Sequence, residues 1–124
     1  MDGVFQNFKY AYTFMDTTIY GQLLASDFVF TYRDYDLGVD VSWGRAEEMR
    51  STYGLFQNAQ QLDLIWNEIV SIASDSSNII RSFNLTITFN PNDIKTVDGK
   101  INLNLRKNDK EKWLITQWID ESDY

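Results

Sequence analysis

The sequence has no cysteine and no histidine, and its 124 residues include a single proline. Each absence closes off chemistry. Without cysteine there is no disulfide framework, thiolate nucleophile, zinc ribbon or iron–sulfur cluster. Without histidine there is no Ser-His-Asp triad, no His-ligated metal and no imidazole acid–base. Basic residues are scarce as well: 11 Lys+Arg stand against 18 Asp+Glu, a net charge of −7. Binding to phosphate backbones or anionic membrane surfaces draws on clustered Lys and Arg. The densest basic stretch, Arg106-Lys107 with Lys110 and Lys112, is broken by Asp109 and Glu111. No apolar run approaches the roughly 20 residues that span a bilayer. Met1-Asp2-Gly3 opens into amphipathic sequence with no basic leader. As given, the chain reads as soluble, with no nucleic-acid partner, no membrane span and no cofactor.

Aromatics are abundant instead, at 15% of the chain. Phe5, Phe8, Ala11 and Tyr12 recur at helical spacing, and Asp16 with Thr17 and Thr18 reads as the cap of a second short helix. Asp27 to Arg33 alternates like a strand, and Tyr35 to Ser42 reads as a loop. A third helix is expected from Gly44 or Arg45. Glu47 and Glu48 favour the positive end of its dipole, and Ala46, Met49, Tyr53 and Phe56 form its buried stripe. From Gln61 the period becomes two. Leu62, Leu64 and Trp66 form one run, and Phe83, Leu85, Ile87 and Phe89 form the cleanest strand; Ile101, Leu103 and Leu105 follow. Asn90-Pro91-Asn92-Asp93 breaks the pattern, and Asp98-Gly99 signals a hairpin turn. Helices first and long antiparallel strands after define one α+β domain over residues 1–124. Asn84, Thr86, Thr88, Asn102 and Asn104 stand opposite the hydrophobic face, as on a sheet covered on one side only.

The ordered set Asn7, Ala11-Tyr12, Asp16, Tyr20, Leu23-Leu24, Asp27-Phe28 and Phe30, then Trp43-Gly44-Arg45, and finally Trp113, Ile115 and Trp118-x-Asp120, resembles the nuclear-transport-factor-2-like superfamily. The resemblance implies a cystatin-like α+β cone: three N-terminal helices packed on a strongly curved antiparallel or mixed sheet. It is strongest to small uncharacterised bacterial members, many of them envelope lipoproteins in which a lipidated cysteine and linker precede the first helix; no such segment is visible here. It further implies a pocket between helices and sheet, and often a homodimer through the open sheet face. It implies no particular reaction, because the superfamily holds isomerases, dehydratases, hydrolases and non-catalytic binding domains.

Candidate chemistry can be weighed against that background. A ketosteroid-isomerase-like base would fall near Tyr32, with Asp34 two residues on and Tyr12 or Tyr20 as phenolic partner. The preferred reading is that Tyr32 is a pocket or core aromatic and Asp34 a loop carboxylate, since a base must sit within reach of its proton. Sites built on a His–Asp pair are excluded by composition. An Asp-Arg-Asp water-activating site could draw on Arg45 or Arg81 with Asp34 and Asp120, but no spacing supports it. Arg45 is expected to pair with a nearby carboxylate and Asp120 to end a strand in solvent. Asp34-x-Asp36 followed by Asp40 is not a calcium loop, because its sixth and twelfth positions hold Val39 and Arg45. The sequon Asn84-Leu85-Thr86 lies inside a strand and is discounted. These considerations leave an aromatic-lined pocket for a small apolar ligand, with Tyr12, Tyr32, Trp43, Tyr53, Trp66 and Trp118 as its lining. A non-catalytic binding or accessory role is the leading expectation. The alternative is a carboxylate/tyrosine isomerase or hydrolase using Asp34 or Asp120 with Tyr12.

Overall fold

In the computed structural model, which describes residues 2–121, Val4, Phe5, Phe8, Ala11 and Tyr12 are all buried along α1 (Asp2–Phe14). Met15 ends this helix in the left-handed region at φ 52°. The Asp16 N–H then reaches Ala11 O at 2.8 Å and the Met15 N–H reaches Tyr12 O at 3.2 Å, a Schellman-type stop made without glycine. Asp16 turns at once to capping α2 (Thr17–Leu23): its Oδ1 accepts from the N–H groups of Thr18 and Ile19 at 3.0 and 3.1 Å.

The remaining elements are β1 (Leu24–Asp34), β2 (Val39–Gly44), α3 (Arg45–Asn58), β3 (Gln61–Ile72), β4 (Asn78–Asn90), β5 (Asp93–Lys107) and β6 (Trp113–Asp120). The six strands form one curved, unclosed sheet in the order β2-β1-β6-β5-β4-β3. β1 and β6 run parallel and the other neighbouring pairs antiparallel, so the sheet is mixed. The helices cover its inner face, as expected of an α+β cone.

Two expectations about turns fail. Residues 39–42 belong to β2, paired with β1 across a turn in which Asp34 Oδ1 accepts from the N–H groups of Asp36 and Leu37, and Gly38 takes φ +67°. Asp98-Gly99 lies inside β5, opposite Asn84 and Phe83 of β4. The inward phase Val97, Gly99, Ile101, Leu103 and Leu105 runs unbroken through the glycine, and pairing with a long β4 outweighs its turn propensity. The chain reverses at Pro91-Asn92 instead.

The third helix is also turned relative to expectation. Its buried residues are Glu48, Thr52 and Phe56, whereas Ala46 is exposed and Tyr53 is 55% exposed. Arg45 donates from Nη2 to Gly21 O at 2.9 Å rather than to a carboxylate. A Cβ on Gly21 would stand 3.2 Å from that same nitrogen, so the glycine permits the close approach of α2 to α3. With Arg45 clamped on α2, the face carrying Glu48 and Thr52 points inward.

One irregularity decides which residues of β6 face the core. Leu105 pairs with Ile115 but Asn104 pairs with Gln117, so Thr116 is an extra residue in β6. Its Oγ1 donates to Asn104 O at 3.1 Å. The bulge changes the phase of the strand, which lets Ile115 and Trp118 both pack against the core.

Candidate functional site

Between the helices and the inner face of the sheet lies a cavity of about 280 Å³. Phe8 and Tyr12 of α1, Phe30 of β1, Trp43 of β2, Trp66 of β3, Phe83 of β4 and Trp118 of β6 line it. Leu55, Leu64, Leu85, Ile87, Val97 and Ile101 complete the apolar wall, and Glu48, Ser51, Thr52 and Asp120 are its polar points. Among the described lining residues none is Lys or Arg.

The aromatic wall is a connected set of ring contacts. Phe8 is its hub, stacked on Tyr12 at 5.1 Å and edge-on to Tyr20, Trp66 and Trp118 at 5.6, 5.3 and 5.4 Å. Phe30 stacks on Trp43 at 4.9 Å and meets Trp118 edge-on at 5.1 Å. Trp66 is further pinned by its Nε1, which donates to Phe5 O at 2.9 Å. Such edge and offset contacts hold rings in one orientation beyond what burial alone achieves.

Glu48 is the polar centre. It is only 5% exposed, and its two oxygens accept from three side chains. The hydroxyl of Tyr20 donates to Oε1 at 2.8 Å, Thr52 Oγ1 donates to the same oxygen at 3.2 Å, and Trp43 Nε1 donates to Oε2 at 2.7 Å. A buried carboxylate is tolerated only when donors replace its water, and here three elements supply them. Tyr20 is itself fully buried. Burial first, then the neighbouring Tyr12 and Glu48, push its phenol well above the ordinary tyrosine range, so it remains a neutral donor.

The residues singled out from sequence are distributed as follows. Tyr12, Trp43, Trp66 and Trp118 share the cavity wall. Tyr32 stands behind it, 5.6 Å from the Trp43 ring and 6.0 Å from Phe30, and Tyr53 faces outward on α3. Asp34 is occupied with the β1–β2 turn, away from the cavity. Asp120 lines the cavity rather than ending its strand in solvent, because the Thr116 bulge puts it in phase with Trp118. Trp113 lies in a separate groove with Val4, Tyr10 and Ile19. Sequence reasoning missed Glu48, reading it with Glu47 as a dipole-favouring pair. The available signal was the spacing of Glu48, Thr52 and Phe56, four residues apart on one helix face.

Trp118 Nε1 is the buried side-chain polar atom, among the described residues, for which no hydrogen-bond partner exists. Groups of three or more acidic side chains that could hold a metal ion do not occur among the described residues. No helix among them is long and apolar enough to cross a membrane.

An α+β domain with three helices over a curved mixed sheet, enclosing an aromatic cavity with a fixed carboxylate, is the class these features define. The chain has the nuclear-transport-factor-2-like fold. A provisionally named scytalone dehydratase from Novosphingobium aromaticivorans superposes with a TM-score of 0.82 at 10% identity, over 99% of this chain and 81% of that one. A provisionally named dehydratase of the NTF2-like family from Streptomyces avermitilis gives 0.73 at 15% identity, over 98% and 91%. An NTF2-like protein of unknown function from Exiguobacterium gives 0.67 at 13% identity, over 97% and 98%. At such identities the likeness carries the fold and not the chemistry. No protein-family model and no curated protein sequence matches the chain.

Proposed function

We propose that the domain binds a small apolar or amphipathic molecule in the aromatic cavity without transforming it. The observation that carries this reading is the division of labour in the wall. Seven rings supply apolar surface, while the most buried carboxylate, Glu48, already accepts from three protein donors and so acts as a fixture. The volume supports a compact ligand: an engineered apolar cavity of ~150 Å³ holds benzene, and this one is about 280 Å³. Three tryptophans in the wall make ligand entry readable by fluorescence. A small-molecule library followed by tryptophan emission and melting temperature tests the reading. A ligand at a hundred times its Kd should add about 2.7 kcal/mol of stability. Replacing Leu85 by Trp, which fills the cavity, should abolish the response; no response to any compound overturns the proposal.

Asp120 and Tyr12 on the same wall support a second reading, a carboxylate/tyrosine isomerase or hydrolase acting on a small apolar substrate. Mass analysis of each bound ligand after prolonged incubation separates the two. Unchanged ligand is expected from the binding domain; conversion that disappears in Asp120→Asn supports the enzyme. A homodimer through the outer sheet face is a further part of the proposal. The middle of that face is the polar set Asn78, Asn84, Asn102, Asn104 and Gln117, so the contact should be wet and weak, with light-scattering mass rising with concentration.

A further inference from the structure

The charge pattern of the cavity narrows its occupant. Its polar points include two carboxylates, Glu48 and Asp120, and none of its described lining residues carries a positive charge. The described cation that stacks on part of the aromatic cluster, Arg81, sits over the Phe5 and Trp66 rings at 4.8 and 5.8 Å and is not among the lining residues. The remaining wall is apolar, seven aromatic rings including Trp43, Trp66 and Trp118 among aliphatic side chains. An aromatic cage attracts an organic cation through the negative faces of its rings, most strongly for tryptophan. Carboxylates within the same low-dielectric cavity act in the same direction and repel an anion.

We infer that the ligand is a small organic cation, a protonated amine or quaternary ammonium carrying an apolar group, held by the tryptophan-rich wall and Asp120 with Glu48 behind it. The inference rests on the small-ligand reading above. The hydrogen bonding of Glu48 fits it: Tyr20, Trp43 and Thr52 fix the carboxylate in place, so its field at the cavity is built into the fold before any ligand arrives.

Three matched probes test it: benzyltrimethylammonium, its uncharged carbon isostere neopentylbenzene, and the anion phenylacetate. Each is titrated against the protein by tryptophan fluorescence at low ionic strength and again in 0.5 M salt. The cation should bind at least tenfold more tightly than the isostere, and phenylacetate more weakly than either. Asp120→Asn should shrink the cation's advantage severalfold while leaving the affinity for neopentylbenzene within twofold. Glu48→Gln serves as a second variant where melting shows that it folds, with the same direction of change. If the neutral isostere binds as tightly as the cation, or Asp120→Asn leaves the preference intact, the cation inference falls while the pocket stands. If none of the three binds, the small-ligand reading falls with it.

Discussion

The two sides of the sheet treat polar side chains in opposite ways: the inner cluster is built on α2, α3 and β2, the outer one on β4, β5 and β6. On the inner face Glu48 meets three donors from three elements, and the Tyr20 hydroxyl that serves it is fully buried. On the outer face Asn78 donates to Asn102 Oδ1 at 2.7 Å and Asn104 Oδ1 at 2.9 Å, and Asn104 donates to Gln117 Oε1 at 2.8 Å, forming an amide ladder across β4, β5 and β6. The ladder's members are half-buried, and water can replace any bond that is lost. Inside, a lost bond leaves a donor with nothing. The number of polar groups is therefore a poor guide to their weight; access to water decides it.

Removing the inner acceptor should produce the largest effect. Glu48→Ala strands the Tyr20 hydroxyl, the Trp43 indole N–H and the Thr52 hydroxyl together. A cost of about 3 kcal/mol is expected, or roughly a 10 °C fall in melting temperature for a domain of this size. Urea unfolding of this variant beside Asn104→Ala measures the difference between the two faces. Equal losses at the two sites would mean that the inner face is as well watered as the outer.

These differences were only partly legible in the sequence. Period two separated Ile101, Leu103 and Leu105 from Asn102 and Asn104, and the two sets do lie on opposite faces. The same rule fails in β6, where Ile115 and Trp118 face inward three residues apart. A bulge is a property of two paired strands, and Thr116 alone carries no mark of it. In α3 the hydrophobic stripe pointed to Tyr53, and the structure buries Glu48 and Thr52 instead. A helix-dipole argument treats Glu47 and Glu48 alike; Arg45 binding Gly21 O, a contact between helices 24 residues apart, sets which one turns inward. Local pattern thus recovered the elements and the fold. The cavity's polar centre depended on contacts distant in sequence.

Tyr20→Phe probes the same inner cluster from the donor side, at a smaller cost of about 1–2 kcal/mol near neutral pH. It also carries a pH signature. Burial raises the Tyr20 pKa above its unfolded value, so folding favours the protonated phenol. That contribution is complete below about pH 10, the unfolded value, and is lost as pH rises toward and through the folded one. Urea midpoints should therefore fall as pH rises above about 10 in the wild type, and fall less in Tyr20→Phe. Parallel declines in the two proteins would show that the inner phenol does not feel its burial.

On the outer face Asn104→Ala removes two ladder bonds, and the expected loss is below about 1 kcal/mol because water takes their place. Amide exchange in β5 should quicken near Asn104 without a change in global midpoint beyond that amount. A loss matching Glu48→Ala would place the ladder, not the cavity, at the centre of the fold's polar energetics.

The smallest effect belongs to an exposed ion pair. Arg106 of β5 grips Asp27 of β1 through two bonds of 3.0 Å, and the pair ties strands that β6 separates. The hydrogen bonding from Arg106 is the main cause that lowers the Asp27 pKa. Whatever stability the pair contributes is present above the unfolded carboxyl pKa and lost as pH falls through the depressed folded value. Both side chains stand largely in water, so the contact should register in titration before it registers in unfolding. Arg106→Met should raise the Asp27 midpoint, followed by carboxyl NMR, while the melting temperature at pH 7 stays close to wild type. An unmoved Asp27 midpoint would mean that the grip does not persist in solution. A large fall in melting temperature would mean that an exposed ion pair weighs as heavily as the buried carboxylate, which the contrast between the two faces forbids.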